Sequence, residues 1–513
     1  MSAMPPHSAG PASGPASGPD ATLAFGTLDR LAPELRPAVD PRELRSRIVH
    51  FGLGAFHRAH QAVYTEHAAA RSGEPWGIAA VAPRSADTVA ALRAQDGLYS
   101  VTGLHGDGPV TRVVGSVTEA LRMGSDAARI DTLLASPDVT VVTLTISEKG
   151  YHRRPGSGVL DAQALDTGAP GIAADLAAPD TAGLATVVGR LAAGLAARQR
   201  AGGAPVTVVS CDNMAANGPA LAGVLRGFVE ASSWPGRRAL LDWLETSVAF
   251  PSTVVDRIVP ATAEADRAAA HRALGVRDGV PVVAEPYRQW VLEDAFAGAR
   301  PPWERDGALF VPDVVPYQLT KLRLLNGSHS ALAHIGAAAG CGSVAEALAT
   351  EWGERLVRAF CAEVGPTLPA GGPDPAAYAD DLVARFRNPG MRHLLQQIGS
   401  DGSLKLPERW FGALRALRAA SAPTPVLELA LAAWVNATRP APDGGGRQVY
   451  GTTDPAAAGL AACRRDGPDT PDTADTVRRL LGAVGAADLA GDPALVSAVT
   501  ARLPALRAGR VEI

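Results

Sequence analysis

Residues 47–57 read RIVHFGLGAFH, and this run decides the fold. The apolar segment 47–52 predicts a strand, and a helical pattern at 59–70 follows it closely. Between them stands Gly52-Leu53-Gly54-Ala55-Phe56-His57. Strand, glycine turn and helix in that order open a parallel βαβ unit, in which the helix N-terminus turns its free N–H groups toward a pyrophosphate. Gly52, Gly54, Phe56 and His57 are therefore the candidate cofactor contacts. His57 stands where the usual G-x-G-x-x-G fingerprint has its third glycine, so an ordinary tight turn is the competing reading. His57 and His60 could pair on a metal, but no carboxylate or cysteine joins them nearby, which favours anion contact or helix capping.

A second strand, 77–82, follows at βαβ distance. After it comes Asp87, the candidate acid for the adenosine ribose. A carboxylate there repels a 2′-phosphate and favours NAD over NADP, although Arg84 could accept that phosphate. Asp87 also reads as the cap of a helix at 88–95. Strand-like pieces recur at 99–102, 111–117, 139–146, 205–211, 254–260 and 280–284, with helical stretches at 127–135 and 181–201. From about residue 316 the apolar spacing turns helical, at 319–339, 343–361, 378–386, 391–398, 410–419 and 426–436, then at 456–463, 473–484 and 494–506. The expected architecture is a Rossmann-like, doubly wound α/β domain over 40–285 and a mostly α-helical domain over 286–513. Residues 1–25 are expected to be a disordered tail, because a start built from Met, Ser, Ala, Pro, Gly and His buries too little apolar surface to order itself.

Composition removes several function classes. Hydrophobic residues make up 47% and charged residues 19%, as in soluble globular chains. A net charge of -4 offers no basic footprint for nucleic acid. No apolar run reaches the roughly 18 residues of a membrane span. The N-terminal residues lack the basic start and apolar core of a secretory signal. Cys211, Cys341, Cys361 and Cys463 lie too far apart for a zinc or redox pair. The expectation is a cytoplasmic protein without a catalytic metal, a monomer or small homo-oligomer acting on a small molecule.

The segment Lys321-Leu-Arg-Leu-Leu-Asn326-Gly-Ser-His329 carries chemistry. At about 100° per residue, Asn326 lies about 140° and His329 about 80° from Lys321, so one broad helix side could hold all three. A lysine in an apolar cleft can act as acid–base, an amide can donate to a developing alkoxide, and a histidine can orient or relay. A plain amphipathic helix is the alternative, but Asn and Gly inside a helix cost stability and ask for a reason. A second polar cluster, Asp212, Asn213 and Asn217, ends the strand 205–211, on the side of the sheet where ligands bind. Asp256-Arg257 and Glu285 with Arg288 put charges into apolar runs, either as site residues or as structural ion pairs.

Together these segments resemble the long-chain polyol and sugar-acid dehydrogenase family, over about residues 44–500. The resemblance rests on IVHFGLGAFHRAHQAVY from Ile48, LTISEKGY from Leu144, SCDNMAANG from Ser210, FPSTVVDRIVP from Phe250, VVAEPYRQWVLED from Val282 and KLRLLNGSHSAL from Lys321. It implies NAD-dependent, metal-independent hydride transfer between an alcohol and a ketone. Lys321 is then similar to the family's general acid–base, Asn213 and Asn326 to the amides that polarise the oxygen, and His329 to the residue assisting them. Asp256 resembles a substrate-side carboxylate, and Asp87 falls at the ribose-binding acid, with Ala86 where some members carry a second one. The run FRNPGMRHLLQQIGSDGSLKLPER from Phe386 resembles the branch that acts on D-mannonate and D-fructuronate, with Gln397 where mannitol-oxidising members place an arginine. Arg392, His393, Lys405 and Arg409 are the cations expected near a uronate carboxylate. The alternatives are the D-mannitol and D-fructose pair and, from another class, a non-catalytic dinucleotide-binding protein.

Overall fold

The computed structural model describes residues 21–154, 165–178, 181, 183–391, 393–442, 447–464 and 473–513. The chain divides into two compact units, Met1–Pro312 and Asp313–Ile513.

Among the described residues the first unit contains twelve strands: β1 (Arg45–Phe51), β2 (Trp76–Ala82), β3 (Tyr99–His105), β4 (Gly108–Val114), β5 (Val117–Arg122), β6 (Val141–Leu144), β7 (Val206–Ser210), β8 (Val248–Ala249), β9 (Thr253–Asp256), β10 (Val282–Ala284), β11 (Gln289–Glu293) and β12 (Leu309–Val311). Its main sheet runs β5-β2-β1-β6-β7-β8, with every neighbouring pair parallel. Strands β2, β6 and β7 are buried along their whole length, as expected when helices cover both faces. Val49, Phe51, Ala79 and Val81 enter one core, with the helices Ala127–Ala135, Val187–Arg200 and Asn217–Ala231. Ile48, Ile78 and Ala80 point into the other, with the helix Gln61–Ser72. This alternation makes the sheet doubly wound. Strand order reverses between β1 and β6, and that switch point is where such folds open a ligand crevice.

Two expectations need correction. Residues 21–25 are not a free tail: Leu23 is 0% exposed and exchanges backbone bonds with the 277 region, Leu23 N–H donating to Arg277 O at 2.9 Å. Leu23, Leu28 and Leu31 bury against Leu98, Val113, Leu274 and Val276, which supplies the apolar area the composition of residues 1–20 lacks. Residues 1–20 lie outside the described residues. The division between units falls after Pro312, not at 285/286. β11 pairs antiparallel with β9 and parallel with β12, so the ladder holds residues 289–311 in the first unit.

The second unit is helical around one large apolar core. The stretch 319–339 is not one α-helix. It runs as α-helix Val315–Thr320, π-helix Lys321–Asn326 and α-helix Gly327–Ala338. A second π segment, Pro407–Phe411, packs against the first.

Candidate active site

In the first unit, a cleft of about 610 Å³ opens at the switch point, lined by Gly52, Leu53 and Gly54 after β1 and by Thr145, Ile146 and Ser147 after β6. Gly52 has φ +117°, and a Cβ there would collide with the Thr145 carbonyl oxygen, so backbone conformation and space both demand glycine. The turn is braced from beneath. Thr145 Oγ1 donates to Gly52 O at 2.9 Å, and His50 Nε2 lies 3.1 Å from the same oxygen. Gly54 differs, since a Cβ there would meet nothing nearer than Gly52 O at 3.8 Å. Its own packing does not require glycine, and the exposed, side-chain-free position lets a ligand approach the backbone closely. These features fit a dinucleotide phosphate.

His57 does not face the cleft. It is 0% exposed, its ring stacked on His50 with centroids 3.4 Å apart. Burial, then the neighbouring His50 and Arg58, hold its pKa well below the ordinary value, so the ring is neutral and cannot serve as the anion contact expected from its position. His60 is also buried, with Nε2 2.8 Å from Gln289 O, and the half-buried Phe56 stacks on it at 5.0 Å. Asp87 is exposed in the first turn of the helix Ala86–Ala94, outside the cleft lining, and Ser85 caps that helix. Arg84 and Ser85 line the cleft instead.

The polar cluster after β7 separates into three roles. Asn217 ties backbone together, its amide donating to Asp212 O and Thr253 O and accepting from Thr253 N–H. Asp212 is buried and accepts from backbone and Tyr151. Asn213 alone is exposed, at the C-terminal end of the strand. Asp256 is buried at the end of β9. The other charges are structural: Arg257 donates to Glu285 O and Ala59 O, and Arg288 pairs with Asp306 at 2.6 Å.

In the second unit, the π-helix changes the expected register. Its i→i+5 bonding winds fewer degrees per residue, which brings Asn326 nearer the Lys321 face than the about 140° of an α-helix. His329, three residues further on in α-helix, continues that face. Gly327 sits tight against Phe360, where a Cβ would stand 3.0 Å from two ring carbons. The second π segment supports the first. Trp410 Nε1 donates to Gly327 O at 3.0 Å, and Arg409 donates to Ser330 Oγ at 2.6 Å.

His329 stacks on Phe386 and meets His393 edge-on, with centroids 5.1 and 5.7 Å away. Burial first, then His393 and the surrounding Arg409, Arg385 and Lys405, lower its pKa to about 3. Its Nε2 and that of His393 have no hydrogen-bond partner among the described residues. Lys405 is already engaged, donating to Ser400 O at 2.6 Å and Ile398 O at 3.2 Å. Arg392 lies outside the described residues.

The mannitol dehydrogenase Rossmann-domain model matches residues 46–305, and the mannitol dehydrogenase C-terminal-domain model matches 313–507. The chain belongs to the mannitol dehydrogenase family. It is an oxidoreductase with a dinucleotide-binding Rossmann unit and a largely helical second unit. An uncharacterized oxidoreductase of Escherichia coli (strain K12), YdfI, is 41% identical over 78% of this chain and 80% of its own. D-mannonate oxidoreductase of the same organism is 37% identical over 80% of this chain and 84% of its own. The structure of Pseudomonas fluorescens mannitol 2-dehydrogenase, a ternary complex with NAD and D-mannitol, matches with TM-score 0.74 and 34% identity, covering 95% of this chain and 97% of that one. The similarity thus spreads across the family and does not single out the D-mannonate branch. No helix among the described residues is long and apolar enough to cross a membrane.

Three features of these sites are not legible in the sequence. LTISEKGY was recognised, but its Thr145, Ile146 and Ser147 received no place in the cleft. His50, the penultimate residue of an apolar strand, gave no sign of bracing Gly52. The π register was hidden too, although Asn-Gly inside a helical pattern did signal a local cost.

Proposed function

We propose that this NAD-dependent oxidoreductase interconverts a neutral polyol and its 2-ketose, with D-mannitol and D-fructose the first pair to test. The observation that carries this choice is the state of the cations around His329. Among the described residues, Lys405 caps carbonyls, Arg409 holds Ser330, and His393 has its pKa lowered by burial and by Arg385, so it carries little charge near neutral pH. A carboxylate needs a free cation, whereas hydroxyls need neutral donors and acceptors. The imidazoles of His329 and His393 are of the second kind.

NAD supplies the hydride acceptor, and its phosphates belong on the Gly52–Gly54 turn. Lys321 takes the proton from the alcohol oxygen in oxidation and returns it in reduction. Asn326 donates its amide to the oxygen, an interaction worth most as negative charge develops there. His329 remains neutral and fixes the oxygen's orientation through Nε2. Asn213 is the second amide that the family resemblance assigns to this role, and Asp256 the substrate-side carboxylate. The enzyme is placed in the cytoplasm, where its four free cysteines stay reduced, as a monomer or small homo-oligomer.

Oxidation of D-mannonate is the second reading, favoured by the relative of that name at 37% identity and by the run from Phe386. Steady-state kcat/KM for both substrate pairs decides between them. Mannitol oxidation should exceed mannonate oxidation by at least about tenfold, the selectivity one well-placed polar contact supplies. Fructuronate reduction without fructose reduction would reverse the assignment.

A further inference from the structure

Ser147 adopts φ +63° and ψ 160°, a region that only glycine enters at little cost. It lies in the lining of the cleft, directly after Ile146. What holds it there is the next strand. Asp212 Oδ1 accepts the Ser147 N–H at 2.7 Å, and Oδ2 accepts the Ile146 N–H at 3.0 Å. Tyr151, from the same loop, donates its hydroxyl to Oδ2 at 2.8 Å and lies 2.5 Å from Ser210 Oγ. One buried carboxylate therefore gathers two consecutive backbone N–H groups and a phenol, all from the segment that follows β6. Carboxylates that accept several such donors fix backbone strongly, because each bond to a charged acceptor is about twice a neutral one.

We infer that Asp212 is a positioning residue for the nucleotide cleft: its carboxylate imposes the strained Ile146–Ser147 backbone and so keeps the β6 side of the cleft shaped for NAD. Asp212 does not touch the cleft and is absent from its lining. It acts through the loop. The inference rests on the cleft being the NAD site, and wild-type NADH titration tests that reading separately.

Asp212→Asn keeps the shape but turns an N–H donor or a weaker acceptor toward the two backbone N–H groups. NADH fluorescence titration should show Kd rising about tenfold, as loss of a hydrogen bond to a charged acceptor implies, with KM for NAD rising in parallel and kcat falling less. The decisive variant is the double substitution Asp212→Asn with Ser147→Gly. Glycine adopts the required backbone without being forced, so NADH affinity should recover to within about threefold of wild type. A merely structural Asp212 gives no such recovery. If Asp212→Asn does not fold, Ser147→Gly alone should raise Tm by relieving the strain. Unchanged Kd in Asp212→Asn, no recovery in the double variant, or a lowered Tm in Ser147→Gly would each overturn the inference.

Discussion

Lys321 and Asn326 stand at the two ends of a π-helical segment, five residues and one i→i+5 turn apart. A continuous α-helix would have set them on divergent faces. The extra residue in the turn is held by packing: Gly327 against Phe360, and Trp410 and Arg409 donating into the same stretch. π segments are found mostly at functional sites, and this one begins at Lys321 and ends at Asn326, three residues before His329.

Gly52→Ala should lower both stability and NADH affinity. The φ of +117° is strained for alanine, and its methyl would strike Thr145 O. The expected loss in urea unfolding is about 2 kcal/mol or more, since strain alone costs roughly 1–3 kcal/mol. Stability within error of wild type would mean the turn relaxes freely and is not a fixed cradle.

His329 gives a prediction on pH. Its folded pKa is lowered to about 3 by burial, against an ordinary value of 6.5. Below pH 6.5 the unfolded chain therefore binds a proton that the folded chain refuses. The contribution of neutral His329 is complete above that value and is lost as pH falls toward 3. Between pH 7 and pH 5 the wild type should lose more unfolding free energy than His329→Asn, measured in denaturant at each pH. Equal losses would show that the imidazole is not held neutral.

Cofactor selectivity should depend on Asp87 through its field. Asp87 lies outside the cleft lining while Arg84 lies within it, so Asp87→Ala should tighten NADPH binding severalfold and leave NADH within about twofold, since an exposed charge acts over a Debye length without touching the ligand. Arg84→Ala should weaken NADPH selectively. Titration of both reduced cofactors checks this, and a large loss of NADH affinity in Asp87→Ala would restore Asp87 as a direct ribose ligand.

The doubly wound sheet was legible because its signals are local. Gly52 follows an apolar strand and precedes a helix, β6 and β7 are short runs rich in β-branched residues, and all of β2, β6 and β7 is buried. The unit boundary was not legible, because β11 joins the first unit through pairing with β9, over thirty residues earlier. At residues 21–25, Leu23 is buried by partners as distant as Val276. The candidate site divides in the same way. Lys321, Asn326 and His329 were visible as chemistry, but their alignment depends on Phe360, Arg409 and Trp410. The opposite error occurred at His57, where position in a motif suggested a ligand contact and tertiary burial placed the ring against His50.

Lys321 as the acid–base is the central assignment. The direct measurement is kcat against pH for wild type and Lys321→Ala, with NADH titration of both proteins. Turnover should fall by about 10²-fold or more, the contribution typical of a positioned proton donor, while NADH affinity stays near wild type because the cofactor cradle belongs to the other unit. A variant with near-normal kcat and an unaltered pH profile would contradict the assignment, and with it the role given to the π-helical face.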